Sequence, residues 1–155
     1  MSAAVEIVPY RPEFREAFGN LNFEWLEKFF YIEDYDREVL TNPEKYILDP
    51  GGYIFMALVD GHPAGTVALI KRDEGDFELS KMGVNEKYQG KRIGQKLMYH
   101  SIAFAGEQNW HRVFLDSNRK LTPAITLYHK VGFKEIEIEG GSPYERCNIR
   151  MEILI

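Results

Sequence analysis

The stretch Lys81-Met-Gly-Val-Asn-Glu-Lys-Tyr-Gln-Gly-Lys-Arg-Ile-Gly-Gln-Lys-Leu97 reads as the end of a strand, a short polar loop and the start of a helix. Strand formers stop at Val84, and the helical pattern begins at about Arg92. Gly90 and Gly94 bracket the turn. The first N–H groups of a helix have no partner within it and together form a partly positive end. Glycines let the backbone approach a bulky anion, so such a turn suits a phosphate or pyrophosphate, with Lys91 and Arg92 adding charge. The same residues also fit an ordinary strand-to-helix turn carrying solvated lysines. The spacing matches neither the Gly-x-x-x-x-Gly-Lys-Ser/Thr phosphate loop nor the dinucleotide fingerprint.

Upstream of this stretch, Phe77 to Val84 reads as a strand, preceded by the turn Asp73-Glu74-Gly75-Asp76. Tyr53 to Val59 and Thr66 to Ile70 are runs of strand formers on either side of Asp60-Gly61, which predicts a hairpin. Val5 to Val8 is a short opening strand stopped by Pro9. From Pro12 to about Phe30, Phe14, Phe18, Leu21, Trp25, Leu26 and Phe29 recur at helical spacing, with an interruption expected near Gly19 and Asn20. Asp36 to Leu40 predicts another short helix.

Downstream, the helix runs to about Glu107, with Ile93, Leu97, Ser101 and Ala105 on one line. Val113 to Leu115 is a short strand. Pro123 opens a helix through Lys130 and Gly132 closes it, following the proline-first, glycine-last asymmetry. Phe133 to Ile138 and Cys147 to Ile155 read as two last strands around Gly140-Gly141-Ser142-Pro143. Hairpins together with strand-helix-strand crossovers predict an α+β (mixed α/β) domain, one sheet covered by helices.

The chain has 155 residues, of which 45% are hydrophobic and 14% aromatic, and reads as a single domain over residues 1–155. Such a chain buries roughly 70% of its unfolded surface. The one cysteine, Cys147, supports neither an internal disulfide nor a cysteine-rich zinc site, and no histidine pair has metal-ligand spacing. The net charge of −5 shows no basic stripe, which argues against a nucleic-acid partner. No run approaches the roughly 20 apolar residues of a membrane span. The first residues lack the basic start and apolar core of a secretory signal, so a cytoplasmic location is expected. No Gly-x-Ser-x-Gly supports a serine hydrolase.

A second segment, Pro123-Ala-Ile-Thr-Leu-Tyr-His-Lys-Val-Gly-Phe133, changes the weight of the first. Together the two resemble the GNAT superfamily of acyl-CoA-dependent N-acyltransferases. Gln89, Gly90, Lys91, Arg92, Ile93 and Gly94 fit its Gln/Arg-x-x-Gly-x-Gly/Ala pattern, except that Arg92 stands where the middle glycine is usual. An arginine there is expected to adopt helical angles and still reach a phosphate. Ala124, Ile125, Leu127, Tyr128, Lys130, Gly132 and Phe133 fit the family's later helix. The two motifs cover roughly a third of the chain and agree with its element order.

The resemblance implies a mostly antiparallel sheet of six or seven strands, splayed between the fourth and fifth. Acetyl-CoA would sit in that opening as co-substrate, with no metal. Its pantetheine arm would pair with the backbone of Met82, Gly83 and Val84, and its pyrophosphate would rest on amides from Gln89 through Gln95. The implied activity is transfer of an acetyl group to an amine-bearing acceptor. In many members the tyrosine of the later helix protonates the leaving sulfur, which points to Tyr128. Glu78 is the candidate base, acting through water. Even spacing puts it on one face with Ser80, Met82 and Val84, provided no bulge intervenes. Glu33 and Asp34 compete for that role. Asn118 is carried over as a contact to CoA or to the acceptor's peptide plane. One common form of the family has asparagine where this chain has Leu121.

For the acceptor, Trp25, Phe29, Phe30, Tyr31 and Tyr35 could wall a pocket, with Tyr144 and Arg146 closing it. The same aromatic series at helical spacing also fits a plain core. Arg146 would suit a substrate carboxylate, whereas Glu33, Asp34 and Asp36 would suit a second amine. A non-catalytic acyl-CoA-binding module of the same fold is the alternative, and a longer acyl chain or another nucleophile would keep that fold. The apolar last strand, Ile149 to Ile155, could serve a homodimer.

Overall fold

A computed structural model describes residues 4–88, 90–140 and 145–155. Gln89 and Tyr144, assigned above to the pyrophosphate and the acceptor, lie outside them. Seven strands form one sheet in the order β1-β2-β3-β4-β5-β7-β6. They are β1 (Val5–Pro9), β2 (Tyr53–Val59), β3 (His62–Asp73), β4 (Asp76–Val84), β5 (Arg112–Ser117), β6 (Lys134–Ile136) and β7 (Ile149–Leu154). The helices are α1 (Arg15–Phe29), α2 (Asp34–Thr41), α3 (Ile93–Glu107) and α4 (Thr122–Val131). The predicted mixed α/β architecture is present, with β4 and β5 the one parallel pair among the described strands.

The continuous apolar runs of β2 and β3 follow from helices on both faces. Phe55, Ala57, Val67, Leu69, Phe77 and Leu79 alternate toward α3 and α4. Ile54, Met56, Leu58, Ala68 and Ile70 turn to the other side, against Phe18, Leu21 and Leu26 of α1 and Leu40 of α2.

Helix α1 runs unbroken through Gly19 and Asn20, where an interruption was expected. The small residue serves packing. A Cβ at Gly19 would stand 3.1 Å from the carbonyl oxygen of Leu40, so α1 and α2 approach backbone to side. Helix α2 is longer than expected because Glu33 and Asp36 form a capping box at its start. After Pro43 the chain makes one π-type turn, Glu44–Leu48, that the apolar pattern did not disclose. The last two strands are shorter than read, at three and six residues.

Two features of β4 make the site. The parallel ladder to β5 has three rungs, Asp76 with Arg112, Phe77 with Val113 and Glu78 with Phe114, and then the strands part. Beyond Glu78, β4 pairs only with β3, while β5 continues against β7. The second feature is a bulge. Ser80 pairs with Ala68 and Gly83 with Thr66, so Lys81 and Met82 oppose a single residue of β3. Lys81 takes φ 53° there. The extra residue reverses the alternation, so Met82 and Val84 pack with Phe77 and Leu79 on the α3 side. Glu78 therefore does not share a face with Met82 and Val84, contrary to the even-spacing expectation. Lys81 turns instead toward α2, where its ammonium lies 3.9 Å from Asp36.

Helix α1 lies close over this strand. A Cβ on Gly83 would meet the Leu21 carbonyl oxygen at 2.7 Å, and that atom is backbone. Gly83→Ala should therefore push α1 away from β4 and cost about 1–3 kcal/mol, read from the urea midpoint at constant m-value.

Candidate active site

The parted strands enclose a cavity of about 100 Å³. Leu79 to Met82 of β4 form one wall, and Leu115 to Ser117 of β5 with Asn118 just after it form the other. Leu121 and Tyr128 enter from α4, Trp25 and Phe30 from the α1 end, and Asp36 and Arg146 close it from the α2 side. Tyr128, Glu78, Met82, Asn118, Trp25 and Arg146 thus come together from positions spread over more than a hundred residues.

Tyr128 is placed by the cap of its own helix. Gly132, at φ 120°, turns the chain so that the N–H groups of Gly132 and Phe133 both reach the Tyr128 carbonyl, at 3.2 and 2.9 Å. The phenol is 9% exposed. Burial pushes its pKa above the ordinary value, and a hydrogen bond with Ser117 pulls the other way without overcoming it. The group stays protonated at neutral pH and is a proton donor inside the cavity.

Glu78 is also buried. Arg72 of β3 donates to it from Nε at 2.9 Å and again from Nη2, both bonds ending on Oε1. Among the described residues no hydrogen bond ends on Oε2. One oxygen is clamped, and the residue lines the cavity.

The acidic and basic acceptor candidates turn out to hold each other. Arg146 Nη1 donates to Glu33 at 2.8 Å and to Asp36 Oδ2 at 2.9 Å, and Nη2 donates to Asp36 Oδ1 at 2.8 Å. Asp36 is fully buried. From sequence, Arg146 and Glu33 suit opposite substrates; the fold joins them in one network. Asp116 repeats the arrangement, with Arg150 donating to both its oxygens at 2.6 and 2.9 Å. Lys81 completes the set, and burial pushes its ammonium down to about 8 against the opposing pull of Asp36.

Trp25 and Phe30 line the cavity, their rings 5.6 Å apart, and Lys120 sits 4.0 Å over Phe30. Phe29 and Tyr31 are not brought into it. Phe29 is 40% exposed and Tyr31 57%, the latter hydrogen-bonded to Glu145 on the surface. Asp34 and Tyr35 are exposed as well. Asn118 stands in the wall with both ends of its amide engaged. It donates to the Arg146 carbonyl at 2.7 Å and accepts from the Lys120 N–H at 2.9 Å, fastening the residue 145–148 segment to the β5–α4 turn.

At the start of α3 the first intrahelical bond is from the Lys96 N–H to the Arg92 carbonyl, at 3.0 Å. The amides of Ile93, Gly94 and Gln95 therefore have no partner within the helix. Gly90 takes φ 88°. Arg92 caps the helix at φ 57°, ψ 36°, which is left-handed and corrects the right-handed angles expected of it. The residue stands one position outside the helix, where the chain must turn sharply. A non-glycine residue there costs about 1–2 kcal/mol, which explains the usual glycine. Lys91 is half-buried and Arg92 exposed.

Sequence reasoning passed over Lys81, Asp116 and Ser117 in the cavity wall. The one available signal was a lysine set inside an otherwise apolar strand end.

The profile of the Acetyltransferase (GNAT) family matches residues 20–133, and the chain belongs to that family. An N-acetyltransferase of Mycobacterium tuberculosis, itself named uncharacterized, is 37% identical over 90 residues, which is 58% of each chain. The chain thus spans under two thirds of that relative's length. A GNAT-family acetyltransferase structure from Staphylococcus aureus superposes with TM-score 0.86 at 25% identity, covering 97% of this chain and 99% of that one. The PaiA N-acetyltransferase of Thermoplasma acidophilum, solved in complex with coenzyme A, superposes with TM-score 0.76 at 19% identity, over 98% and 99% of the two chains.

Asp36 faces two buried cations. Asp36→Ala should cost about 3–5 kcal/mol because Arg146 and Lys81 would remain buried with that charge removed. Asp34→Ala, on the exposed side of the same turn, should cost about 1 kcal/mol or less. Chemical denaturation of the two variants at one pH checks the contrast.

Proposed function

We propose that the chain is an acetyl-CoA-dependent N-acetyltransferase that passes an acetyl group to a primary amine by direct attack in a ternary complex. One observation carries the reading: a buried protonated phenol and a clamped carboxylate stand in the walls of one cavity, in the opening between β4 and β5. Coenzyme A bound by the Thermoplasma neighbour supports it.

The edge of β4 beyond Glu78 has no strand beside it, so the backbone of Met82, Gly83 and Val84 can receive an extended amide-bearing arm as a strand would. The amides of Ile93, Gly94 and Gln95, with the Gln89–Arg92 turn before them, suit the pyrophosphate. Asn118 holds the opposite wall in shape. The donor, when bound, supplies an acetyl thioester.

An amine acceptor with an ordinary pKa of about 10.4 costs roughly 4.6 kcal/mol to neutralise at pH 7. Glu78, held by Arg72 through one oxygen, receives that proton through water. As the carbon–sulfur bond breaks, Tyr128 donates to the sulfur, whose free thiol pKa is near 8.5. The acceptor is a primary amine of a small molecule, peptide or protein. Trp25 and Arg146 line the acceptor side, and Glu33 acts through Arg146. Direct attack asks for no metal. The reading takes residues 1–155 as one domain acting in the cytoplasm without nucleic acid or membrane, and a homodimer is compatible with it.

A panel of amines with acetyl-CoA, followed by thiol release, tests the activity. Tyr128→Phe should lower kcat at least about tenfold with CoA affinity unchanged by calorimetry; equal turnover would remove the phenol as the acid, and a panel without any turnover would favour a binding module. Since burial raises the phenol above its ordinary 10.0, the alkaline loss of activity due to it should lie above pH 10.

A further inference from the structure

The reaction needs a primary amine, a base and an acid, and the cavity wall already contains all three. Lys81, Glu78 and Tyr128 line the same space. We infer that Lys81 is itself an acceptor: with acetyl-CoA bound and no other amine present, the chain acetylates its own Lys81 Nζ inside the cavity. The inference rests on the reading above of an acetyl donor in this opening.

Geometry carries it. The β4 bulge gives Lys81 its left-handed backbone, and the side chain lines the cavity on the side of Asp36. Only 4% of that side chain is exposed, so the ammonium has little access to bulk water. Its neighbour Met82 begins the unpaired edge that suits the donor's arm. Asp36 Oδ1 lies 3.9 Å from Nζ, which places the ammonium on the α2 side of the cavity wall.

The charges facing Lys81 are Asp36 of α2, Arg146 ahead of β7, Glu78 of its own strand and Arg72 of β3. The two carboxylates favour the ammonium, the two guanidiniums oppose it, and burial outweighs them all. With a pKa of about 8, about one molecule in ten carries a neutral Nζ at pH 7, against about one in 2,500 for an ordinary lysine.

The step balances. The Nζ lone pair bonds to the thioester carbonyl carbon, and the carbon–sulfur bond breaks. Tyr128 gives its proton to the sulfur, and an N–H proton leaves through water to Glu78. Return of that proton to the phenolate completes the exchange, leaving an amide at Lys81 and a free thiol.

The test is incubation of the whole purified chain with acetyl-CoA and no acceptor, followed by peptide mass mapping over time. Lys81 should gain one acetyl group at least about tenfold faster than exposed lysines such as Lys28 and Lys134. Its rate should rise about tenfold per pH unit up to about pH 8 and then level, as expected for a group of that pKa, while surface lysines keep rising. Tyr128→Phe should slow Lys81 at least about tenfold and leave the surface lysines unchanged. Acetylation of added amines with Lys81 unmodified, or modified no faster than the surface lysines, would overturn the inference and leave the proposed activity standing. No acetylation of amines or of Lys81 would reject both.

Discussion

The structure depends on a ladder that stops. β4 and β5 share three rungs and then diverge, although both stay paired on their other sides. Backbone N–H and C=O groups along a parted edge need partners. Here the parted edge lies beside a cavity that side chains from both strands line. The glycine-containing turn into α3 lies at the far end of the same edge, so one geometric decision, where the ladder stops, sets the place of both. Membership in the acetyltransferase family gives that decision its chemical context.

Keeping the opening in shape is mostly electrostatic. Three carboxylates in the cavity wall, Asp36, Glu78 and Asp116, are each held by an arginine from another element. Each guanidinium makes two hydrogen bonds to its carboxylate, which fixes the direction in which the charge points. Arg146 does this while tying the segment before β7 to α2, and Asn118 ties the same segment to the β5–α4 turn. These polar contacts, together with the apolar lining of Trp25, Phe30, Leu79, Leu115 and Leu121, keep oriented charge next to space.

Two of the four described non-glycine residues with positive φ flank the same opening. Lys81 and Arg92 both adopt positive φ without being glycine. They stand at the two ends of the segment that carries the unpaired edge and the helix start. Each left-handed residue re-aims the chain beyond it: Lys81 reverses the sheet alternation, and Arg92 turns the loop into α3. Strain that persists is held by the surrounding packing, here by α1 against Gly83 and by Ile93 in the core.

The helices and strands of the sheet are legible in the sequence from period and turn chemistry, and the pairing of Gly90–Gly94 with Ala124–Phe133 points to the fold and to Tyr128. Those are local signals, written in residues near one another. Gly19 misleads because glycine in a helix looks like a break until another helix is seen to need the space. Even spacing puts Glu78 on the wrong face relative to Met82 because a bulge leaves alternation intact on both sides and shifts only their phase. Arg146 and Glu33 look like alternatives because their 113-residue separation hides an ion pair. Sequence alone determined which segments become helix, strand and anion-facing turn, since dihedral preference and hydrophobic period act over a few residues. Only the tertiary structure decided where the sheet opens, which charges neutralise each other and which lysine is buried, since register and burial are set by contacts between distant segments.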